Sequence, residues 1–216
     1  MNDRTRKICS VLLTLTLFVG ILLPMGAAPA QAATIFDRSE FRYDENGDGT
    51  ICITDLPLDH GESVEIPETI DGKTVTALDT TLFYAVDGVR SVTIPGTVKE
   101  IPSSLCDDQS VLTTVVLKNG VETIGARAFQ NDKNLSSVSL SNSLTKIGES
   151  AFEFCYGLSA ITLPNGLTTI GTQAFSRTGL TALVLPDSVQ SVSREAFSYN
   201  SALETVRDDD TARSVV

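Results

Sequence analysis

Between Val92 and Thr205 the apolar residues of the chain fall into columns. Read from Val92, the sequence forms five lines of 22 or 23 residues: VTIPGTVKEIPSSLCDDQSVLTT, VVLKNGVETIGARAFQNDKNLSS, VSLSNSLTKIGESAFEFCYGLSA, ITLPNGLTTIGTQAFSRTGLTA and LVLPDSVQSVSREAFSYNSALET. Another begins at Val206. The first and third positions are apolar in every line (Val92/Ile94, Val115/Leu117, Val138/Leu140, Ile161/Leu163, Leu183/Leu185). That alternation is what one face of a short strand needs, and it predicts strands near 91–95, 114–118, 137–141, 160–164 and 182–186. The seventh position holds Val98, Val121, Leu144, Leu167 and Val189, and the tenth holds Ile101, Ile124, Ile147, Ile170 and Val192. A Leu returns late in each line, at Leu112, Leu135, Leu158, Leu180 and Leu203. Such columns close a continuous core only if each line is a coil stacked on the next.

Between the tenth position and the late Leu sits an Ala-Phe pair: Ala128-Phe129, Ala151-Phe152, Ala174-Phe175 and Ala196-Phe197. A small residue followed by a ring predicts a short helical turn docking one aromatic inward, with Gly125, Gly148 and Gly171 permitting a tight entry. The first line departs, with Pro102, Leu105 and Cys106 in the Gly, Ala and Phe columns. Cys106 reads as a smaller core filler and Cys155 as a buried thiol on the same side. An earlier copy runs from Val64 to Ser91, with Leu82-Phe83 in the Ala-Phe columns and Val89 at the late Leu position. It carries five extra residues around Asp71-Gly72-Lys73, a turn signature. About six coils of 22–28 residues are therefore expected over 64–206.

These residues carry a resemblance. ITLPNGLTTIGTQAF and its siblings resemble the BspA-type leucine-rich repeats of bacterial surface proteins, and VEIPETIDGKTVTAL resembles the segment that often opens such arrays. The likeness covers roughly residues 41 to 206. It implies an α/β repeat solenoid, a right-handed superhelix with a short parallel sheet on its concave face and short helical turns on its convex face. It also implies a secreted or surface-attached protein associated with adhesion to host proteins or other cells, and it supplies no catalytic residues.

The ends read differently. Arg4, Arg6 and Lys7 precede an apolar run from Val11 to Leu23, and Ala30-Gln31-Ala32 follows with small residues at the two positions a signal peptidase reads. Residues 1–32 are expected to be a signal peptide cleaved before Ala33, because the run is too short for the roughly 20 residues that span a bilayer. Residues 33–63 are expected to form an N-terminal β-hairpin cap, and 207–216 an acidic tail that includes Asp208-Asp209-Asp210. Loss of the signal removes three of 16 Lys+Arg and one of 27 Asp+Glu, leaving 13 against 26 and a net charge of −13. So acidic a surface repels phosphate backbones and anionic headgroups, which argues against nucleic acid or membrane partners. Cys52, Cys106 and Cys155 then remain, an odd number with no metal-knuckle spacing.

One segment looks like ligand chemistry. Asp44, Asn46, Asp48, Thr50 and Asp55 fall at positions 1, 3, 5, 7 and 12 of a calcium loop, with Gly49 at position 6. The competing reading is a β-hairpin: Phe41 and Tyr43 alternate before Asn-Gly-Asp-Gly, and Ile51 and Ile53 alternate after it. The hairpin is favoured, since Pro57 follows and a single copy lacks the flanking helices. No cofactor or metal is expected.

The second candidate is the outward row of the strands: Ser91, Thr93, Thr114, Val116, Ser137, Ser139, Ala160, Thr162, Ala182, Val184, Thr205 and Arg207. Repeat proteins bind partners on such a face, though Ser, Thr and Val are also good strand formers and no aromatic anchor lies there. His60 is the lone histidine, in a Gly/Asp-rich loop, so nucleophilic catalysis is not expected. The expected role is non-catalytic binding or adhesion to an extracellular protein or glycan. The alternative is a structural array that self-associates through its ends.

Overall fold

The computed structural model describes residues 41–57, 60–84 and 86–208, the last four as backbone. Its regular elements are all short strands, and no helix occurs among the described residues. The N-terminal part is a hairpin of β1 (Arg42–Glu45) and β2 (Ile51–Asp55), paired antiparallel. Phe41, Ile51 and Ile53 are buried and join the common core. The earlier coil opens with β3 (Ser63–Glu65). Its extra residues form a second hairpin, β4 (Thr69–Ile70) and β5 (Lys73–Leu78), turned at Asp71 and Gly72 with φ of 51° and 76°. Two successive left-handed residues give the two-residue turn that suits strand twist. β2 then pairs in parallel with β5, so the insertion is what receives the hairpin.

From there the chain winds as a β-solenoid of about six turns with three walls. The strand wall contains β3, β6 (Ser91–Ile94), β8 (Thr114–Leu117) and β10 (Ser137–Ser139) in parallel register, so Val64, Val92, Val115 and Val138 align. A second wall, which the hydrophobic pattern leaves unannounced as strand, is built from β7 (Glu100–Ile101), β9 (Thr123–Ile124), β11 (Lys146–Ile147), β12 (Thr169–Ile170) and β14 (Ser191–Val192). These stack in one unbroken parallel ladder. The strand wall is not unbroken. Residues 160–164 form no strand, contrary to expectation, and pairing resumes only between β13 (Ala182–Leu185) and β15 (Thr205–Asp208). The break falls on the one line that is a residue shorter, where the spacing between successive lines drops from 23 to 22.

The third wall carries the Ala-Phe pairs and corrects the expected helical turns. Residues on both sides of each pair are left-handed: Ser104 and Asp108, Arg127 and Asn131, Ser150 and Phe154, Gln173 and Arg177, Glu195 and Tyr199. A helix cannot pass through such residues. Instead the turn N–H groups reach the adjacent coil. Arg127, Phe129 and Asn131 donate to the carbonyls of Glu149, Ala151 and Glu153 at 2.8, 2.9 and 2.8 Å. Ser150, Phe152 and Phe154 repeat the pattern to Thr172, Ala174 and Ser176. The backbone is thus satisfied between coils rather than within one.

The same spacing sets the glycine column. Gly148 is not left-handed, but a Cβ there would lie 2.7 Å from the backbone of Gly125, and one at Gly171 would lie 2.6 Å from Gly148. Close approach of coils, not entry into a turn, is what requires glycine. Inside, the rings form a ladder: Phe129–Phe152, Phe152–Phe175 and Phe175–Phe197 centroids are 5.4, 5.3 and 5.7 Å apart and nearly parallel. Cys106 fills that column in the preceding coil and is fully buried, as is Cys155, and the described cysteines are all free.

Candidate functional site

The outward row of the strand wall lies where the alternation places it. Ser91 aligns with Thr114 and Thr114 with Ser137, while Thr93 aligns with Val116 and Val116 with Ser139. Ser91, Thr93, Thr114 and Val116 are half-buried, whereas Ser137, Ser139, Ala160, Thr162, Ala182 and Val184 are exposed. Thr205 and Arg207 continue the row opposite Ala182 and Val184. The interruption at 160–164 divides this row. Thr162, Ala182 and Val184, with Ile161 and Leu183, line an open hollow of about 330 Å³. No aromatic ring and no charged side chain lies among the hollow's lining residues.

The five candidate calcium ligands do not converge. The β1–β2 register sets Asp55 opposite Arg42, at the far end of the hairpin from Asp48, and the two form an ion pair at 3.7 Å. Around the turn the polar groups satisfy one another. Asn46 donates through Nδ2 to Thr50 Oγ1, and the Thr50 hydroxyl and N–H both donate to Asp48 Oδ1. Those Thr50 hydrogen bonds hold the Asp48 carboxyl below its ordinary range. Among the described residues no group of three His, Cys, Asp or Glu side chains is placed to hold a metal ion. His60 sits in its loop with Nδ1 beside the Gly61 carbonyl.

A third surface, on the turn wall, escapes sequence reasoning. The column immediately after each Phe-plus-one position reads Asp108, Asn131, Phe154, Arg177 and Tyr199, with φ between 56° and 65° throughout. Asn and Asp tolerate this conformation best, and Asn131 indeed donates to Asp108 Oδ1 at 2.7 Å. The later coils replace them with bulky side chains that the backbone disfavours. Coil stacking places the Arg177 guanidinium 5.1 Å from the Phe154 ring centroid and 4.4 Å from that of Tyr199. Phe154 in turn meets Tyr156 edge-on, with centroids 6.2 Å apart. Tyr156 and Tyr199 are 54% and 70% exposed, and Arg177 is half-buried between Phe154 and Tyr199. The ion pairs of the described residues do not include Arg177. A comparison of column members down successive coils is the sequence signal that would have found this patch.

Comparison with known proteins then places the fold. The BspA-type leucine-rich-repeat region matches residues 73–204 in six copies. The chain belongs to this family. No curated protein sequence matches it. Among solved structures, this BspA-type chain is similar to the T. pallidum leucine-rich-repeat protein, at 27% identity and a TM-score of 0.56, over 84% of this chain and 71% of that one. It is similar to a leucine-rich cell surface protein of Faecalibacterium prausnitzii, at 25% identity and a TM-score of 0.63, over 87% and 55%. The pneumococcal vaccine antigen PcpA shares 26% identity and a TM-score of 0.67 over 79% and 49%. The chain therefore spans about half the length of the latter two proteins. Family and fold are those of repeat proteins found on bacterial surfaces, generally without enzymatic activity.

Proposed function

We propose that this BspA-type array is a secreted or cell-surface module that binds an extracellular protein or glycan and performs no catalysis. The observation that carries the reading is the stacked group of Phe154, Arg177 and Tyr199, built at left-handed positions where Asn or Asp would serve the backbone better, with Tyr156 and Tyr199 exposed to solvent. Exposed Tyr and Arg side chains are the residues from which interface hot spots are made. Similarity to a leucine-rich cell surface protein supports an extracellular setting. Retention of the purified chain on an array of extracellular-matrix proteins and glycans tests it. Specific retention that is lost when Arg177 and Tyr199 are both replaced supports the reading, and absence of retention on any element overturns it.

A structural role is the second reading, favoured by a different observation. At the C-terminal side of the described coils, Val192, Ala196, Phe197, Tyr199 and Leu203 line an open hollow of about 600 Å³. An apolar hollow of this kind suits packing against a second copy of the chain. Light scattering across a concentration series separates the two, because a scaffold array grows with concentration in the absence of ligand.

A further inference from the structure

The last described coil differs from those before it on the second wall. There, each earlier coil gives two carbonyls to the next. Lys99 accepts from the Glu122 and Thr123 N–H groups, and Ile101 accepts from Gly125. The same contacts recur on Glu122 and Ile124, on Thr145 and Ile147, and on Thr168 and Ile170, where Gln190, Ser191 and Ser193 donate. β14 pairs on one side only, with β12, and the Gln190 and Val192 carbonyls receive no N–H among the described residues. Burial changes at the same level. Val98, Val121, Leu144 and Leu167 in one inward column are fully buried, as are Ile101, Ile124, Ile147 and Ile170 in the other. Val189 and Val192 continue those columns but are only half-buried. Open carbonyls beside wetted apolar side chains mark a coil face built to be covered.

The sequence beyond β15 matches that face. Residues 209–216, expected to belong to an acidic tail, lie outside the described residues. β15 pairs with β13 at an offset of 23 residues, Ala182 with Thr205 and Leu183 with Val206. Carried forward, that offset sets Asp210 beside Asp187, Ala212 beside Val189, Ser214 beside Ser191 and Val215 beside Val192. The residue types agree column by column. Asp210 follows Asn119, Asn142, Asn165 and Asp187, while Ala212 and Val215 are apolar where the two inward columns require it. The same offset brings the N–H groups of Arg213, Ser214 and Val216 to the Gln190 and Val192 carbonyls. Asp208 departs from the apolar third column, yet β15 pairs with β13 through it, opposite Leu185. A second copy stacked head to tail would instead present its N-terminal hairpin, which carries no such register.

We propose that residues 209–216 continue the coil begun at β15 and cover Val189 and Val192, with Ser214-Val215 as the next rung of the ladder from β7 to β14. The array thereby closes its own ladder at this level and withholds the Gln190 and Val192 carbonyls from a second copy. The inference goes beyond both readings of function, and it bears on the second, because a tail in this place opposes end-to-end stacking.

Amide hydrogen exchange of the full chain tests it. Ser214 and Val216 should exchange about tenfold or more slowly than the same sequence as an unstructured peptide, at every protein concentration. V215D should return both amides to peptide rates, whereas V215I should keep them protected. S191C/S214C should close a disulfide within one chain, because same-level residues of neighbouring strands stand about 4.8 Å apart. Peptide-like exchange of Ser214 and Val216 in the unaltered chain overturns the proposal. So does a disulfide that forms only between chains or not at all. Protection that grows with protein concentration makes a second copy the occupant instead. Protection that survives V215D also overturns the proposal, since the contact would then not run through the inward column.

Discussion

The backbone N–H of Gln109 donates to Asp132 Oδ1 at 2.7 Å, while Asp132 Oδ2 is buried with no hydrogen-bond partner. Neighbouring coils show what that position ordinarily does. Gln109 donates through Nε2 to the Phe83 carbonyl, Cys155 through Sγ to Phe129, and Asn200 through Nδ2 to Phe175, each reaching a carbonyl of the preceding coil. By the same spacing the carbonyl that corresponds to Asp132 is that of Cys106, and only a protonated carboxyl could donate to it. Burial above all, with Asp107 and Asp108 nearby, pushes the Asp132 carboxyl up to about 9, against the one Gln109 hydrogen bond that lowers it.

A carboxyl whose pKa is raised on folding stabilises the fold least where it ought to ionise. The full contribution of Asp132 is present below pH 4, and stability declines as pH rises from there toward 9, by up to roughly 1.4 kcal/mol per pH unit. D132N supplies the missing donor without a charge. It should raise Tm by several degrees at neutral pH and flatten the slope of Tm against pH across that window. A D132N protein melting below wild type at pH 7 would refute the assignment.

Gly148 offers a sharper test of coil spacing. Its added Cβ would lie 2.7 Å from Gly125 backbone atoms, which no side-chain adjustment relieves. G148A should therefore cost on the order of 2 kcal/mol, in the range of overpacked cores, whereas A126G, at a half-buried neighbouring position, should cost under about 1 kcal/mol. Urea denaturation of the two variants compares them directly.

The ring ladder makes a similar demand on volume. Phe152 is fully buried between Phe129 and Phe175. F152A should destabilise by roughly 3–5 kcal/mol. At Phe197, half-buried and stacked on one side by Phe175, alanine should cost less than half as much. Equal losses at both positions would mean that the stack does not extend as a cooperative core.

The hairpin makes the prediction for metal. Asp55 is held opposite Arg42 and Asp48 is turned toward Thr50, so millimolar calcium should leave Tm unchanged. A rise in Tm on adding calcium that D48A abolishes would show that the loop rearranges to bind it.

Most of the fold was legible because each buried column answers to one physical requirement repeated in every coil. Ile101, Ile124, Ile147 and Ile170 announce themselves by stacking on their own kind, and each is fully buried. Conformation without composition was not legible. Nothing about Arg127 or Gln173 as residue types signals a left-handed backbone, so the Ala-Phe turn read as helical when inter-coil hydrogen bonds had claimed its N–H groups. The loss of strand at 160–164 was equally silent, since Ile161 and Leu163 keep the alternation. The patch eluded reading for a third reason. Phe154, Arg177 and Tyr199 are unrelated in chemistry, and only stacking makes neighbours of them.

The interruption at residues 160–164 has a mechanical meaning. Through that same short coil the ladder from β7 to β14 and the stacked rings run on without a gap. From the coil of β7 to that of β14 two sides of the array are therefore stitched, while the third is unstitched at one level. Such a rod is stiff in compression and yields in one direction at one height. Bending strain from a load on either end would collect beside Thr162 and open the hollow there first, leaving the turn wall in register.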